Sequence, residues 1–539
     1  MNELSEATKK LITQYNIARK QDQPKQGITT IHVDEVAKKV AAFYEQIRTI
    51  VDWKEEHLMR RAAIIRKLKR KFFDLELNNF SETQNAAESL VLELIRGGHF
   101  PNDEIEESKI DDVQKLIDKY VFILKNNPEN KAGKAGLNFY NWVIEVSACE
   151  IEETLAPSIK EMSLIDYMFG SMKEKIKISD KFFDSGLLSR EDVNIQIYIA
   201  VCLSLFKLDK PMISYNLIKY KYPNWQRADE KLISNVSQNI FKIWHQIETD
   251  LVHPMANKFY AICEKYDSPY LIMGDVLSSD EQEAKKTITD PAVLEGLIKN
   301  SYNKRLSTLK SRISRAAIYS TISIFVTKVL SLLLLEVLIE KAMGENINFL
   351  LLSADILIPT LLMFIIVVGI KKPSKKNLNL VTMETMKIAY KKDNADSYEI
   401  KMSRKKGFFI KAILSLVYVL SAFVTFGAIY YVLDYFNFPA TSIIIDIIFI
   451  AVILFAGTAV SKRAQELTME DEKEGFISFL ADVFFLPVQG LGRWISMKWK
   501  RYNALAALFN ALIDMPFSAF VEFLEKWRYF IKEKKEEIR

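Results

Sequence analysis

Apolar positions along this chain change their rhythm near residue 316. Ahead of it they recur every three or four residues, and beyond it they fuse into four long runs at 316–339, 347–370, 408–433 and 442–460. A helix crossing about 30 Å of hydrocarbon needs about 20 mostly apolar residues, and each run reaches that length or nearly so. The pattern predicts four transmembrane helices arranged as two hairpins, preceded by some 300 residues of other chain.

Over 32–310 the helical period dominates and β-branched alternation is scarce. Helix-like stretches fall at 54–76, 82–96, 109–125, 137–155, 189–206, 226–251 and 255–266. In the first, Leu58, Ala62, Ile65, Leu68, Phe72 and Leu75 make one apolar stripe. Ser81 with Gln84, and Ser189 with Asp192, read as helix N-caps. Turn signals lie at Gly97–Asp103, Asn126–Pro128 and Lys210–Pro211. The polar, glycine-bearing stretch Asn126–Gly136 is the expected boundary between subdomains 1–126 and 137–315. One β-like signal lies in the loop 371–406, where Met386, Ile388 and Tyr390, then Tyr398, Ile400 and Met402, alternate about a turn at Asp393–Asp396. A small hairpin is one reading and an amphipathic helix over 379–391 is the other.

Charge orients the spans. The stretch Lys299–Arg315 holds six basic residues and no acid, and the loop 371–406 holds eleven against four, whereas 340–346 has one lysine and 434–441 no basic residue. Basic loops mark the cytosolic side, so both termini are expected there. Met1–Lys20 shows no signal-peptide core. The reading is a bacterial inner-membrane protein with 316–460 as its membrane region and 461–539 as a C-terminal layer.

Within that layer, 475–492 and 502–524 are apolar but interrupted by Asp482, Asp514, Glu522, Pro487 and Pro516. Spanning would put Arg493, Lys498, Lys500 and Arg501 on the wrong side. Interfacial or re-entrant amphipathic helices are expected instead, with Trp494, Trp499 and Trp527 at headgroup level. The strings Gly475–Lys498 (GFISFLADVFFLPVQGLGRWISMK) and Ala511–Glu537 (ALIDMPFSAFVEFLEKWRYFIKEKKEE), with the third and fourth spans, resemble a family of uncharacterised bacterial multi-pass membrane proteins over roughly 400–539. That resemblance implies a defined module after the spans and carries no activity or site.

Chemistry-bearing motifs are sparse. Lys131–Gly136 lacks the spacing of a phosphate loop, and no GxGxxG occurs. His245, Glu248, Asp250 and His253 extend over about 12 Å of one helix, so surface pairing is the default over a metal site. Cys149, Cys202 and Cys263 are far apart and read as buried reduced thiols. No catalytic, cofactor or metal residue is assigned. A net charge of +5 excludes a globally basic nucleic-acid binder. The run Arg60, Arg61, Arg66, Lys67, Lys69, Arg70 and Lys71 reads as a solvated face, with anionic lipid headgroups as its functional partner and nucleic acid ranked last.

Among the charges inside the spans, Lys328, Glu336, Asp355 and Asp446 say most. Ionised groups in hydrocarbon cost several kcal/mol and are usually paired or functional. Lys328 and Asp355 differ in depth by about 6 Å, which a lysine bridges. A bridge that fixes the first hairpin, a cation or proton site, and snorkelling of Glu336 and Asp446 are the three readings. The overall expectation is an all-α, non-enzymatic scaffold or assembly factor that recruits a cytosolic protein partner to the inner leaflet. A transporter or channel using the four charges, as a compact bundle or homo-oligomer, is the alternative.

Overall fold

A computed structural model describes residues 3–22, 27, 29–33, 39, 56–77, 86–127, 133–279, 290–343, 349–370, 373–390, 397–401, 407–470 and 475–501, with 523, 527, 530, 531 and 534 beyond. The Ser81 cap, the turn at 393–396 and nearly all of 502–524 lie outside the described residues. The chain is mostly helical, with a block of helices ahead of four long apolar ones. It divides into a helical unit (Glu6–Asp267, Asp396–Ile400, Ala504–Arg539) and a membrane unit (Met1–Ser5, Ser268–Ala395, Lys401–Asn503).

The helical unit contains α1 (Glu6–Asp22), α2 (Glu56–Leu77), α3 (Ala86–Arg96), α4 (Ser108–Lys125), α5 (Lys134–Leu155) and α6 (Ile159–Lys175). After β1 (Ile176–Ile178) follow α7 (Lys181–Asp184), α8 (Arg190–Phe206), α9 (Lys210–Lys221), α10 (Glu230–Leu251) and α11 (Ala256–Lys265). Side-chain oxygens set several starts by accepting amide hydrogens that a first turn leaves unpaired. Ser189 and Asp192 form a capping box on α8, Asp209 caps α9 ahead of Pro211, and Asp229 caps α10. In α10, Val236, Ile240, Ile243, Trp244 and Ile247 form the buried stripe.

Helix α5 packs against α2, α4 and α9. It buries acids, so its partners supply cations. Glu150 accepts from Lys119 Nζ and Tyr120 Oη, both at 2.6 Å, and from Trp225 Nε1 at 3.1 Å. Glu152 accepts from Arg61 Nε at 2.9 Å, and Asp209 pairs with the same guanidinium. Because α4 and α5 pack together across 126–136, that stretch is a connection within one compact unit.

β2 (Tyr398–Ile400) supplies the strand expected in the second arm of the 386–402 signal, but its partner is β1, paired in parallel with Ile176 opposite Tyr398. The first arm is helical, as the other reading of that segment had it.

The membrane unit begins with α12 (Ser268–Ser278) and the 41-residue α13 (Pro291–Ser331), capped by Asp290. The expected boundary at 315–316 therefore lies inside one continuous helix. A π turn (Leu332–Glu336) leads into α14 (Val337–Met343), followed by α15 (Phe349–Val368), α16 (Lys375–Ala389), α17 (Phe408–Tyr435), α18 (Ala440–Ala464) and α19 (Phe476–Arg501). Among the described residues, four helices are long and apolar enough to cross a membrane: the one through Pro291–Ile339, then α15, α17 and α18. Their outward side chains, such as Leu334, Ile365, Phe423 and Ile444, are exposed, as suits contact with lipid.

Toward the polar ends of α13 and α18, Asn377 of α16 ties three segments together. Its Nδ2 donates to Tyr302 Oη at 2.9 Å and to the Leu467 carbonyl at 2.6 Å, while its Oδ1 accepts from Met469 N at 2.7 Å. Helix α19 runs unbroken past Pro487, where a break was expected, and packs along α18 and α17. A Cβ on Gly492 would collide with the Ala451 carbonyl at the middle of α18, so glycine permits the approach.

Candidate functional site

Lys328, Glu336, Asp355 and Asp446 converge. Lys328 Nζ lies 3.0 Å from Glu336 Oε1, 2.8 Å from Asp355 Oδ2 and 2.9 Å from Asp446 Oδ1. All four residues are at most 1% exposed. Snorkelling of Glu336 and Asp446 toward headgroups is therefore ruled out: both face the bundle interior.

Local backbone irregularities build the site. In an unbroken α-helix, positions eight apart are offset by about 80° around the axis. A π turn absorbs one extra residue and winds the chain back by about 100°, so 336 returns to within about 20° of 328. The turn at Leu332–Glu336 sits where that correction is required. On α15, Pro359 follows Asp355 by four residues and carries no N–H, so the Asp355 carbonyl lacks its helical donor.

The carboxyl groups differ in how they are satisfied. Glu336 Oε1 accepts from Lys328 and, at 3.4 Å, from Ser331, and its Oε2 accepts from Ser442 at 2.7 Å. One oxygen of Asp355 and one of Asp446 lie within ion-pair distance of Nζ, yet no oxygen of either receives an aligned hydrogen bond. Asp355 Oδ2 and Asp446 Oδ1 both contact the same Nζ, so the two carboxyl groups lie beside each other around it. The Phe449 ring lies 5.4 Å from Nζ and adds a cation–π face.

Apolar layers close the site along the bundle. On the side where α15 and α18 begin, Leu433, Phe438 and Ile443 pack with Leu351, Ala354, Ile429 and Ile447. On the other side, Met363, Val367 and Ile453 pack with Ala317, Ile324, Ile366 and Phe449. Asp355 and Asp446 each sit six residues, about 9 Å, inside the first residue of their helices.

The basic run of α2 does not form one solvated face. Arg61 is buried between Glu152 and Asp209, and its place in the apolar stripe beside Ala63, Ile64, Leu68 and Phe72 shifts that stripe from the expected register. Burial and the paired carboxylates act oppositely on it, and the carboxylates win, raising its proton affinity above the ordinary arginine value. Lys67 and Arg70 both pair with Glu93, at 3.0 and 2.9 Å, and Arg60 lies 5.2 Å from the Phe100 ring centroid. Arg66 is half-buried and Lys69 exposed, while Lys71 is described only as helical backbone. On α19, Arg493, Trp494 and Lys498 are exposed, with Lys498 Nζ 5.9 Å from the Trp494 ring. Trp499, Lys500 and Arg501 are described only as backbone, and Trp527 is exposed.

The four residues 245–253 do not converge. His245 meets the Phe241 ring edge-on and the Trp244 ring at a tilt, Asp250 is buried and accepts from Gln246, and His253 accepts from the Met255 amide. Among the described residues, no group of three or more His, Cys, Asp or Glu is arranged to hold a metal ion. The sequence reading missed Ser331, Ser442 and Phe449, whose only signal is helical spacing from Glu336 and Asp446. Comparison with protein-family models, curated proteins and solved structures returns no match.

Proposed function

We propose that the protein is an ion-coupled membrane transporter or channel in which Lys328, Glu336, Asp355 and Asp446 form the site through which charge passes. The observation that supports this most strongly is the charge imbalance: one ammonium serves three carboxylates, all buried within long apolar helices. A structural tie between hairpins needs one acid per base. Here, with every group ionised, two negative charges remain, and low-dielectric surroundings make each costly. Protons or cations that enter and leave would balance them, and binding or release would shift the packing of three helices. The π turn and Pro359 flank the cluster, as interrupted helices flank ion sites in transporters. The scaffold expectation lacks a comparable feature.

In this reading the loop 371–406 faces the cytosol, and the cluster lies nearer the opposite surface. The reading is tested by reconstituting the full chain in liposomes and following H⁺, Na⁺ and K⁺ movement under an imposed gradient. Flux that is lost in Asp446→Asn, with unchanged elution in detergent, supports it. Liposomes as tight as protein-free controls to all three ions would exclude it.

A further inference from the structure

Resting on the transport reading, we propose that the ion is the proton, bound between Asp355 and Asp446, with Lys328 and Glu336 as its fixed frame. Four observations converge on this.

First, the carboxylates divide by their partners. Glu336 has donors on both oxygens and forms a self-contained pair with Lys328. Asp355 and Asp446 are the surplus acids, nine-tenths or more buried, with oxygens aimed into the cluster and without aligned donors. With one oxygen of each on the same Nζ, a proton shared between the two aspartates supplies the aligned hydrogen bond they lack.

Second, the place a metal cation would take is occupied. Nζ lies within 3.0 Å of all three acids, so the lysine ammonium already stands at their common centre. Hard cations require about six oxygens in a shell, whereas a proton requires only two facing oxygens and no cavity.

Third, among the described residues no other titratable side chain completes the site. The elements around it contribute Ser331 from α13, Ser442 and Phe449 from α18, and apolar Ile429 and Leu433 from α17. Lys328, Glu336, Asp355 and Asp446 are its titratable members.

Fourth, hydroxyls without partners lie on either side. Thr441 is five residues outward of Asp446 on α18, and Thr321 is two turns before Lys328 on α13. Each hydroxyl both donates and accepts, as a proton relay through an apolar layer requires. The step itself is simple: hydronium gives its proton to one aspartate oxygen, an O–H bond forms, water is left, and release on the other side reverses this.

The test uses the full-length protein in liposomes, with infrared difference spectra and flux measured on the same sample. A protonated-carboxyl stretch that shifts in D₂O, disappears in Asp355→Asn and Asp446→Asn, and accompanies proton flux that persists when Na⁺ and K⁺ are replaced by a large organic cation is the expected result. The wild-type band and the cation replacement need no variant, so a variant that misfolds does not remove the test. Flux that requires Na⁺ or K⁺, without a protonated-carboxyl band, overturns the proton assignment and leaves the transport reading standing. No flux of any ion overturns both.

Discussion

Lys328 Nζ and Glu336 Oε1 are 3.0 Å apart on one continuous helix, eight residues from each other, and the π turn between them makes the contact. The site therefore depends on backbone register as much as on the charges themselves. Inserting one alanine after Leu334 should rotate Glu336 about 100° away from Lys328. The expected outcome is loss of flux and a destabilisation of about 3 kcal/mol, read from thermal unfolding in detergent. An insertion that leaves both unchanged would show that this register is incidental.

Removing the ammonium strands three acids. Lys328→Met should destabilise the protein by about 3–5 kcal/mol, the range for breaking a buried pair from one side. Adding Glu336→Gln removes the acid that pairs most fully with it, and should recover most of that loss without restoring flux. Stability and transport would then separate in one pair of variants, compared by unfolding temperature and by flux.

The helical unit holds a comparable pair, Lys119 with Glu150, beneath Trp225. Burial lowers the proton affinity of Lys119 below the ordinary lysine value, and Glu150 offsets only part of this. Glu150→Gln should cost about 3–5 kcal/mol at neutral pH. The unfolded chain then binds more protons than the folded one, so stability of the variant should rise with pH toward the ordinary lysine value. Unfolding of the full-length variant across neutral to alkaline pH measures this, and a loss that does not ease on raising the pH would contradict it.

Cys149, Cys202 and Cys263 are all buried and free. Burial pushes the Cys202 thiol up to about 12, and the other two upward as well. The thiol is the poor nucleophile, so maleimide should label none of them in the folded protein at neutral pH and all three after denaturation. Folded-state proton affinities above the unfolded ones also mean that their contribution to stability falls as pH rises from about 8.5 toward 12. Labelling of the native protein at neutral pH, followed by mass spectrometry, would contradict their burial.

At α19, Gly492→Leu places a side chain against the Ala451 carbonyl, where even a Cβ collides. Overpacking of this kind costs about 1–3 kcal/mol. A lowered unfolding temperature is expected, whereas the same change at Gly475, where a Cβ meets nothing, should be neutral.

Much of this was legible locally. Long apolar runs gave the spans, and the Ser189–Asp192 spacing gave the start of α8, because caps and periodicity act over a few residues. What stayed hidden depends on distant chain. Arg61 looked like one of a solvated basic run, since the acids that bury it, Glu152 and Asp209, lie far along the sequence. The partner of Tyr398–Ile400 lies some 220 residues upstream, beyond any hairpin signal. The four intramembrane charges were visible individually, and a bridge between Lys328 and Asp355 followed from depth alone. Their joint convergence was not, because a π turn leaves no mark in side-chain periodicity until the contact it serves is known.

The most direct test is the acid-load-driven current of wild type against Asp355→Asn in liposomes of matched protein content. The account predicts a current carried by wild type and abolished in the variant, while both proteins remain folded. Equal currents in the two, or none above protein-free liposomes in either, would make the buried cluster a structural tie and not a path for charge.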